Sequence, residues 1–319
     1  MKYYRCILAA SALSAAACAT GGITPTADHH QHLFSPDLAA VLSPGNPGIT
    51  ARDVLALLDS AGISKAVVLS AAYIYGSPVR SFADEYARVR AENDWNAAQV
   101  APFPGRLRAF CGFNPLKDYA LTELERCAKD PNLSRGIKLH FGNSDVQLEN
   151  PAHVEQLRRV FSAANQHHMA IVVHMRASIS KQRPYGAEQA RIFLEQLLSA
   201  APDVPVQVAH FAGSGPGYDD PPAHNAMAVL ADAVERGDPR TRNLWFDVAT
   251  IVDRDISAAN AALLVRVIRQ VGVRRVLYGS DAAAGTNLRP RESWAAFRKL
   301  PLTEDEFRQI AANVAPYLR

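Results

Sequence analysis

A chain of 319 residues with 48% apolar content can bury a large core, and its composition excludes a disordered or fibrous protein. The formal charge is +3, but two of the 34 basic residues, Lys2 and Arg5, fall in a leader segment, and the remainder nearly balances 31 acidic residues. Without a basic run interleaved with aromatics, that balance excludes nucleic acid as the main partner.

Residues 1–19 are predicted to be an export signal. Lys2 and Arg5 give the positive start, and residues 6–17 form an apolar stretch ending in Ala15, Ala16 and Ala17. The stretch is too short to span a bilayer but suits a signal-peptide core with a small-residue cleavage site. Cys18 resembles the cleavage cysteine of bacterial lipoproteins, although Ala15 stands where leucine is usual. The expectation is export to the periplasm, with a lipid anchor at Cys18 left open.

From residue 27 onward, short apolar runs alternate with helical patterns. The runs are 27–34, 65–72, 106–113, 136–141, 170–175, 205–211, 244–249 and 275–280. They show little alternation, as parallel strands buried on both faces do. Between them lie amphipathic stretches at 51–61, 81–100, 151–167, 187–200, 222–235 and 258–271. Thr50 with Asp53 reads as a capping box for the first, and Gly62 as its C-terminal cap. Eight strand–helix repeats predict one (β/α)₈ barrel over residues 20–319. No Gly-rich phosphate loop opens a helix, which removes a nucleotide-binding Rossmann fold. The glycine-rich stretch 213–217 reads as an ordinary loop. Cys111 and Cys127 read as two buried thiols, with a disulfide permitted by export.

The chemistry starts in the first strand, at Asp28-His29-His30-Gln31-His32. Side chains alternate along a strand, so His30 and His32 share a face and make half of a metal site. Five of ten histidines (His30, His32, His140, His174 and His210) fall near predicted strand ends, and Asp281 follows the eighth strand. In a barrel these ends converge on one mouth, where barrel enzymes keep their chemistry. Imidazole with carboxylate suits zinc, with manganese, iron or cobalt as substitutes.

These residues resemble the amidohydrolase superfamily, in its amidohydrolase-related branch, which includes aminocarboxymuconate-semialdehyde decarboxylase and related metal-dependent hydrolases. The resemblance runs over nearly the whole mature chain. It includes the HxH, Asn93-Asp94, Pro104-Gly105-Arg106, Gly136-Ile137-Lys138-Leu139-His140, His174, Val208-Ala209-His210-Phe211, Gly279-Ser280-Asp281 and Ala312-Asn313. It implies that His30, His32, His174 and Asp281 hold the metal, one ion being favoured over two. His210 becomes the acid/base group, or a second-metal ligand, and Asp281 also accepts a proton. In some superfamily members a strand-four lysine is carboxylated and bridges two metals; here Lys138 is expected to anchor substrate or neighbouring carboxylates instead.

Three further readings concern the substrate. His140 shares a face with Lys138 and is a candidate to line the pocket. Arg176 shares a face with His174 and is placed to clamp a substrate carboxylate or to form an ordinary salt bridge. Tyr73, Tyr75 and Trp95 are candidate walls. Asp28 is expected to orient a ligand imidazole, and Asp247 is either structural or a pocket group. His153, His167, His168 and His224 are read as surface residues. The expected activity is metal-dependent hydrolysis of a C–N or C–O bond in a small cyclic amide, ester or lactone. Decarboxylation on the same site is the alternative, and an exported, non-catalytic metal-binding protein comes third. Oligomeric state is left open.

Overall fold

The computed structural model describes residues 22–253, 255–283 and 286–319. Residues 1–19, expected to be an export signal, and Cys18 with them lie outside the described residues. Among those described, no helix is long and apolar enough to cross a membrane.

Eight parallel strands follow one another in sequence order: β1 (Ala27–Gln31), β2 (Lys65–Leu69), β3 (Leu107–Gly112), β4 (Gly136–His140), β5 (Ala170–His174), β6 (Val206–Val208), β7 (Leu244–Asp247) and β8 (Val276–Leu277). The ring closes where the His29 N–H meets the Tyr278 carbonyl at 2.9 Å and the Asp281 N–H meets the His30 carbonyl at 2.7 Å. This is the (β/α)₈ barrel that the alternation predicts.

Each strand lies inside its predicted run, but β6 and β8 are much shorter than theirs. Their C-terminal residues peel off to build the mouth. After β6, His210, Phe211 and Ala212 take left-handed backbone (φ 54, 50 and 62°), and Thr250 and Asp281 do the same after β7 and β8 (φ 56 and 52°). Non-glycine residues in that region are strained and persist only where surrounding contacts hold them, as at functional sites.

Helices wrap the outside. In chain order they are α1 (Pro36–Leu42), α2 (Ala51–Ala61), α3 (Glu85–Val100), α4 (Ala120–Ala128), α5 (Phe141–Ser144), α6 (Pro151–Gln166), α7 (Ala187–Ile192), α8 (Pro221–Glu235), α9 (Ala258–Val271), α10 (Pro290–Phe297) and α11 (Glu304–Ala312). The capping box of α2 forms as predicted, and Gly62 closes the helix at φ 72°, a conformation that costs glycine little. The stretch predicted as one helix over 187–200 is α7 followed by a π-helical turn at Phe193–Leu197 and a 3₁₀ turn at Leu198–Ala200. These wider and tighter turns still bury Phe193, Leu194, Leu197 and Leu198.

Apolar side chains fill the layer between strands and helices. Inside the barrel, Val67, Leu69, Phe110, Val172 and Leu277 pack with Tyr317 of the C-terminal turn, which plugs the ring beneath the mouth. Asn313, just past α11, donates to the carbonyls of Val273 and Val276 at 2.7 Å each and so ties the last helix to β8. Asn93 does the same for β3, bonding both the N–H and the carbonyl of Gly112. Cys111 of β3 and Cys127 of α4 are not separate thiols: they form a disulfide.

Candidate metal centre

The β1 strand and the residues after β6, β7 and β8 deliver the main polar groups to one spot. Asp247, at the end of β7, is buried and accepts from His30 Nδ1 at 3.0 Å. Its neighbours hold the carboxyl far below the usual range: burial pushes it up, but His30 and His210 outweigh that. An ionised acceptor fixes the His30 proton on Nδ1 and leaves the Nε2 lone pair facing the mouth. His32 donates Nδ1–H to the Leu69 carbonyl at 2.6 Å, which leaves its Nε2 lone pair 3.4 Å from Asp281 Oδ1. His210 donates Nδ1–H to the Ala249 carbonyl at 2.8 Å, and its Nε2 is free in the same way.

His140 is the exception. Its Nδ1 accepts the Asn143 N–H at 3.1 Å, so the neutral ring carries its proton on Nε2 and presents a donor. Burial pushes all these imidazoles down, His32 to about 3, which keeps them neutral at physiological pH.

The donor atoms of His30, His32 and Asp281 lie within 4.8 Å of one another. Asp281 Oδ1 is buried without a hydrogen-bond partner, which costs about 1–3 kcal/mol unless something satisfies it. Two imidazole lone pairs and one orphaned carboxylate oxygen fit a divalent cation. Lys138 Nζ, 3.3 Å from His30 Nε2, makes the competing contact. Desolvation lowers the Lys138 ammonium and raises the Asp281 carboxyl. A second grouping, of His30, His210 and Asp247, is a hydrogen-bonded cluster whose carboxylate already meets four donors.

Of the predicted site residues, His30, His32, Lys138, His140, His174, His210 and Asp281 all line one cavity of about 490 Å³. The β4–β5 register places His140 beside His174, and their rings stack at 3.9 Å. His174 stands outside the donor triangle, its ring 5.0 Å from His210. Arg176 faces an adjoining cavity of about 300 Å³, and its fork is held by Asp220 at 2.8 and 3.2 Å.

Asp28 does not orient an imidazole. It accepts from the N–H groups of His30 and Ser280 and from the Ser280 and Gln31 side chains, buckling β1 to the turn before Asp281, while Asp247 takes the imidazole. Gly279 lets this seam close, since a Cβ there would sit 2.8 Å from that of His30. Of the aromatic candidates Tyr73 lines the cavity, 5.1 Å from His140. Tyr75 packs on Phe82, and Trp95 sits against the core. His167 and His168 are exposed, whereas His153 and His224 are half-buried and bonded to backbone. The lining residues that the sequence did not single out are Phe34, Leu42, Ser43 and Asn46, from the loop and short helix after β1, with Ile74, Ser214 and Ala283.

Comparison with solved structures finds the same fold at low identity. A 5-carboxyvanillate decarboxylase from Sphingomonas paucimobilis is 17% identical, with a TM-score of 0.60 over 90% of this chain and 96% of that one. A candidate 2-pyrone-4,6-dicarboxylic acid hydrolase from Pseudomonas putida is 16% identical, with a TM-score of 0.61 over 93% and 97%. A dihydroxybenzoic acid decarboxylase from Polaromonas, solved with manganese and 2-nitroresorcinol, is 15% identical, with a TM-score of 0.60 over 91% and 95%. No curated protein matches the sequence. The amidohydrolase family model matches residues 27–315, and the chain therefore belongs to the amidohydrolase family of enzymes.

Proposed function

We propose that the protein is a zinc-dependent hydrolase that cleaves a C–N or C–O bond in a small cyclic amide, ester or lactone. The observation that carries the reading is the orphaned Asp281 oxygen grouped with the free Nε2 atoms of His30 and His32. His30, His32 and Asp281 hold one divalent ion, with His174, outside that grouping but lining the same cavity, as the further ligand that the family resemblance implies. Such an ion supplies Lewis-acid polarisation and makes water a nucleophile at neutral pH.

The chain's own residues do the rest. Asp281 accepts a proton, His210 Nε2 moves protons to and from the substrate, and the His140 Nε2–H donates to a substrate oxygen. Lys138 anchors the substrate or the neighbouring carboxylates.

Metal-dependent decarboxylation is the second reading, supported by the decarboxylases among the solved structures of this fold. The experiment is metal analysis of purified protein, followed by a screen of lactones, cyclic amides and aromatic acids with and without zinc or manganese. The hydrolase reading expects about one tightly bound ion per chain and ring-opened products. Carbon dioxide release without water consumption would select decarboxylation. A His30→Ala/His32→Ala protein that stays folded and keeps its ion would remove the metal centre altogether.

The proposed setting is outside the cytoplasm, which the Cys111–Cys127 disulfide supports. A reporter fused to residues 1–25 should be exported, and its retention in the cytoplasm overturns that proposal.

A further inference from the structure

We infer that the cavity takes an uncharged, largely apolar ring with a single carbonyl group and no carboxylate of its own. This deepens the metal-centre reading and rests on it. The wall above the donor cluster is apolar, made by Phe34, Leu42, Tyr73, Ile74 and Ala283, with the neutral groups of Ser43, Asn46 and Ser214 between them. A space of about 490 Å³ is the size that holds a small ring compound.

Charge is confined to the reacting end. Among the described residues lining the cavity, the charged side chains are Lys138 and Asp281, and Lys138 points at His30 Nε2 from 3.3 Å. The cations of the loop after β5 are all matched by carboxylates. Asp220 takes the Arg176 guanidinium at two points, and the Tyr185 ring lies 4.7 Å beneath it. Lys181 and Arg183 share Asp145 at 2.9 Å each. A carboxylate carried into this space away from the metal and Lys138 would lose its hydration with no further described lining cation to receive it, a large penalty.

A neutral carbonyl asks only for a donor, and one is present. The Asn143 N–H occupies His140 Nδ1, so His140 offers Nε2–H, whereas His30, His32 and His210 keep their protons on Nδ1. Beside the acceptor nitrogens of His30, His32 and His210, the His140 donor suits one carbonyl oxygen.

The test uses zinc-loaded wild-type protein and calorimetric binding of three hydroxamic acids. Benzohydroxamic acid reports whether the metal centre exists. The 4-carbamoyl and 4-carboxy derivatives have nearly the same shape and differ mainly in charge. The expected result is that the carbamoyl compound binds at least about tenfold more tightly than the carboxylate, a floor set well below the penalty for an unpaired buried charge. Equal affinity, tighter carboxylate binding or equal failure of the substituted pair overturns the inference while leaving the metal centre standing. If benzohydroxamic acid itself fails to bind, the metal-centre reading falls and takes the inference with it.

Discussion

Replacing Asp247 with Asn tests how far the centre depends on one buried carboxylate. Its two oxygens accept from His30 Nδ1 (3.0 Å), Gln207 Nε2 (2.6 Å), the His210 N–H (2.9 Å) and the Ala249 N–H (3.1 Å). Asparagine keeps one of those oxygens and puts an N–H₂ where the other was, so two buried donors face a donor. At about 1–3 kcal/mol for each unsatisfied group, the folded state loses about 2–6 kcal/mol. If the amide nitrogen faces His30, the imidazole must switch its proton to Nε2, which takes the lone pair from the metal. Loss of such a partner commonly lowers metal affinity about 10–100-fold.

Urea unfolding of metal-free protein reads the first effect, and zinc competition against a chelator reads the second. The pH dependence has a defined sign. Asp247 is depressed in the folded state from its ordinary 3.8, so its stabilisation is complete above that value and is lost as pH falls toward the native one. The Asn variant should lack this acid limb. Unchanged stability together with unchanged zinc affinity would refute the reasoning.

Three further outcomes follow from the geometry. His210→Asn suits the left-handed backbone at φ 54°, and should keep the ion while kcat falls about 10²–10⁴-fold; loss of the ion would make His210 a ligand instead. Reducing the Cys111–Cys127 disulfide, which spans a sequence separation of 16, should cost about 3 kcal/mol in a denaturant titration, and coincident curves with and without reductant would refute that contribution. Thr303→Ala removes the capping box of α11 and should cost about 1 kcal/mol. Arg269, joined by the Thr303 N–H and hydroxyl, holds Glu306 down to about 2 from 4.5, so its contribution is present above about pH 4.5 and lost on acidification. The variant keeps Arg269 and the residue-303 N–H and should keep most of that acid limb, while unchanged stability at neutral pH counts against the cap.

The barrel was legible because each parallel strand is an unbroken apolar run, and because Thr50, Asp53 and Gly62 punctuate α2 with local chemistry. The imidazoles were legible for a related reason: strand ends in a barrel share one mouth, so placing His30, His140 and His210 on strands was enough to bring them together. What escaped depends on contacts between distant segments. Nothing in the sequence around Asp220 says that it will take the fork of Arg176. Asp28 and Asp247 are both carboxylates on strands facing the site, and only the closing geometry gives the ring of His30 to Asp247. The wall from Phe34 to Asn46 follows from how the chain after β1 folds back, with Phe34 bridging Ile49, and no residue pattern encodes that.

The closure between β1 and β8 makes the centre a seam. His29 and Tyr278, whose backbones bond across it, are 249 residues apart, and the donor triangle takes two members from one lip and the third from the other. Loop-closure entropy opposes that join, and contacts of such long range form late in folding. An ion that binds only the closed ring acts as a staple by mass action, contributing about 4 kcal/mol at a thousandfold excess over its Kd. Chelation should therefore be felt first as local opening at this join, with the His29 and Asp281 amides exchanging hydrogen before those of β4 and β5.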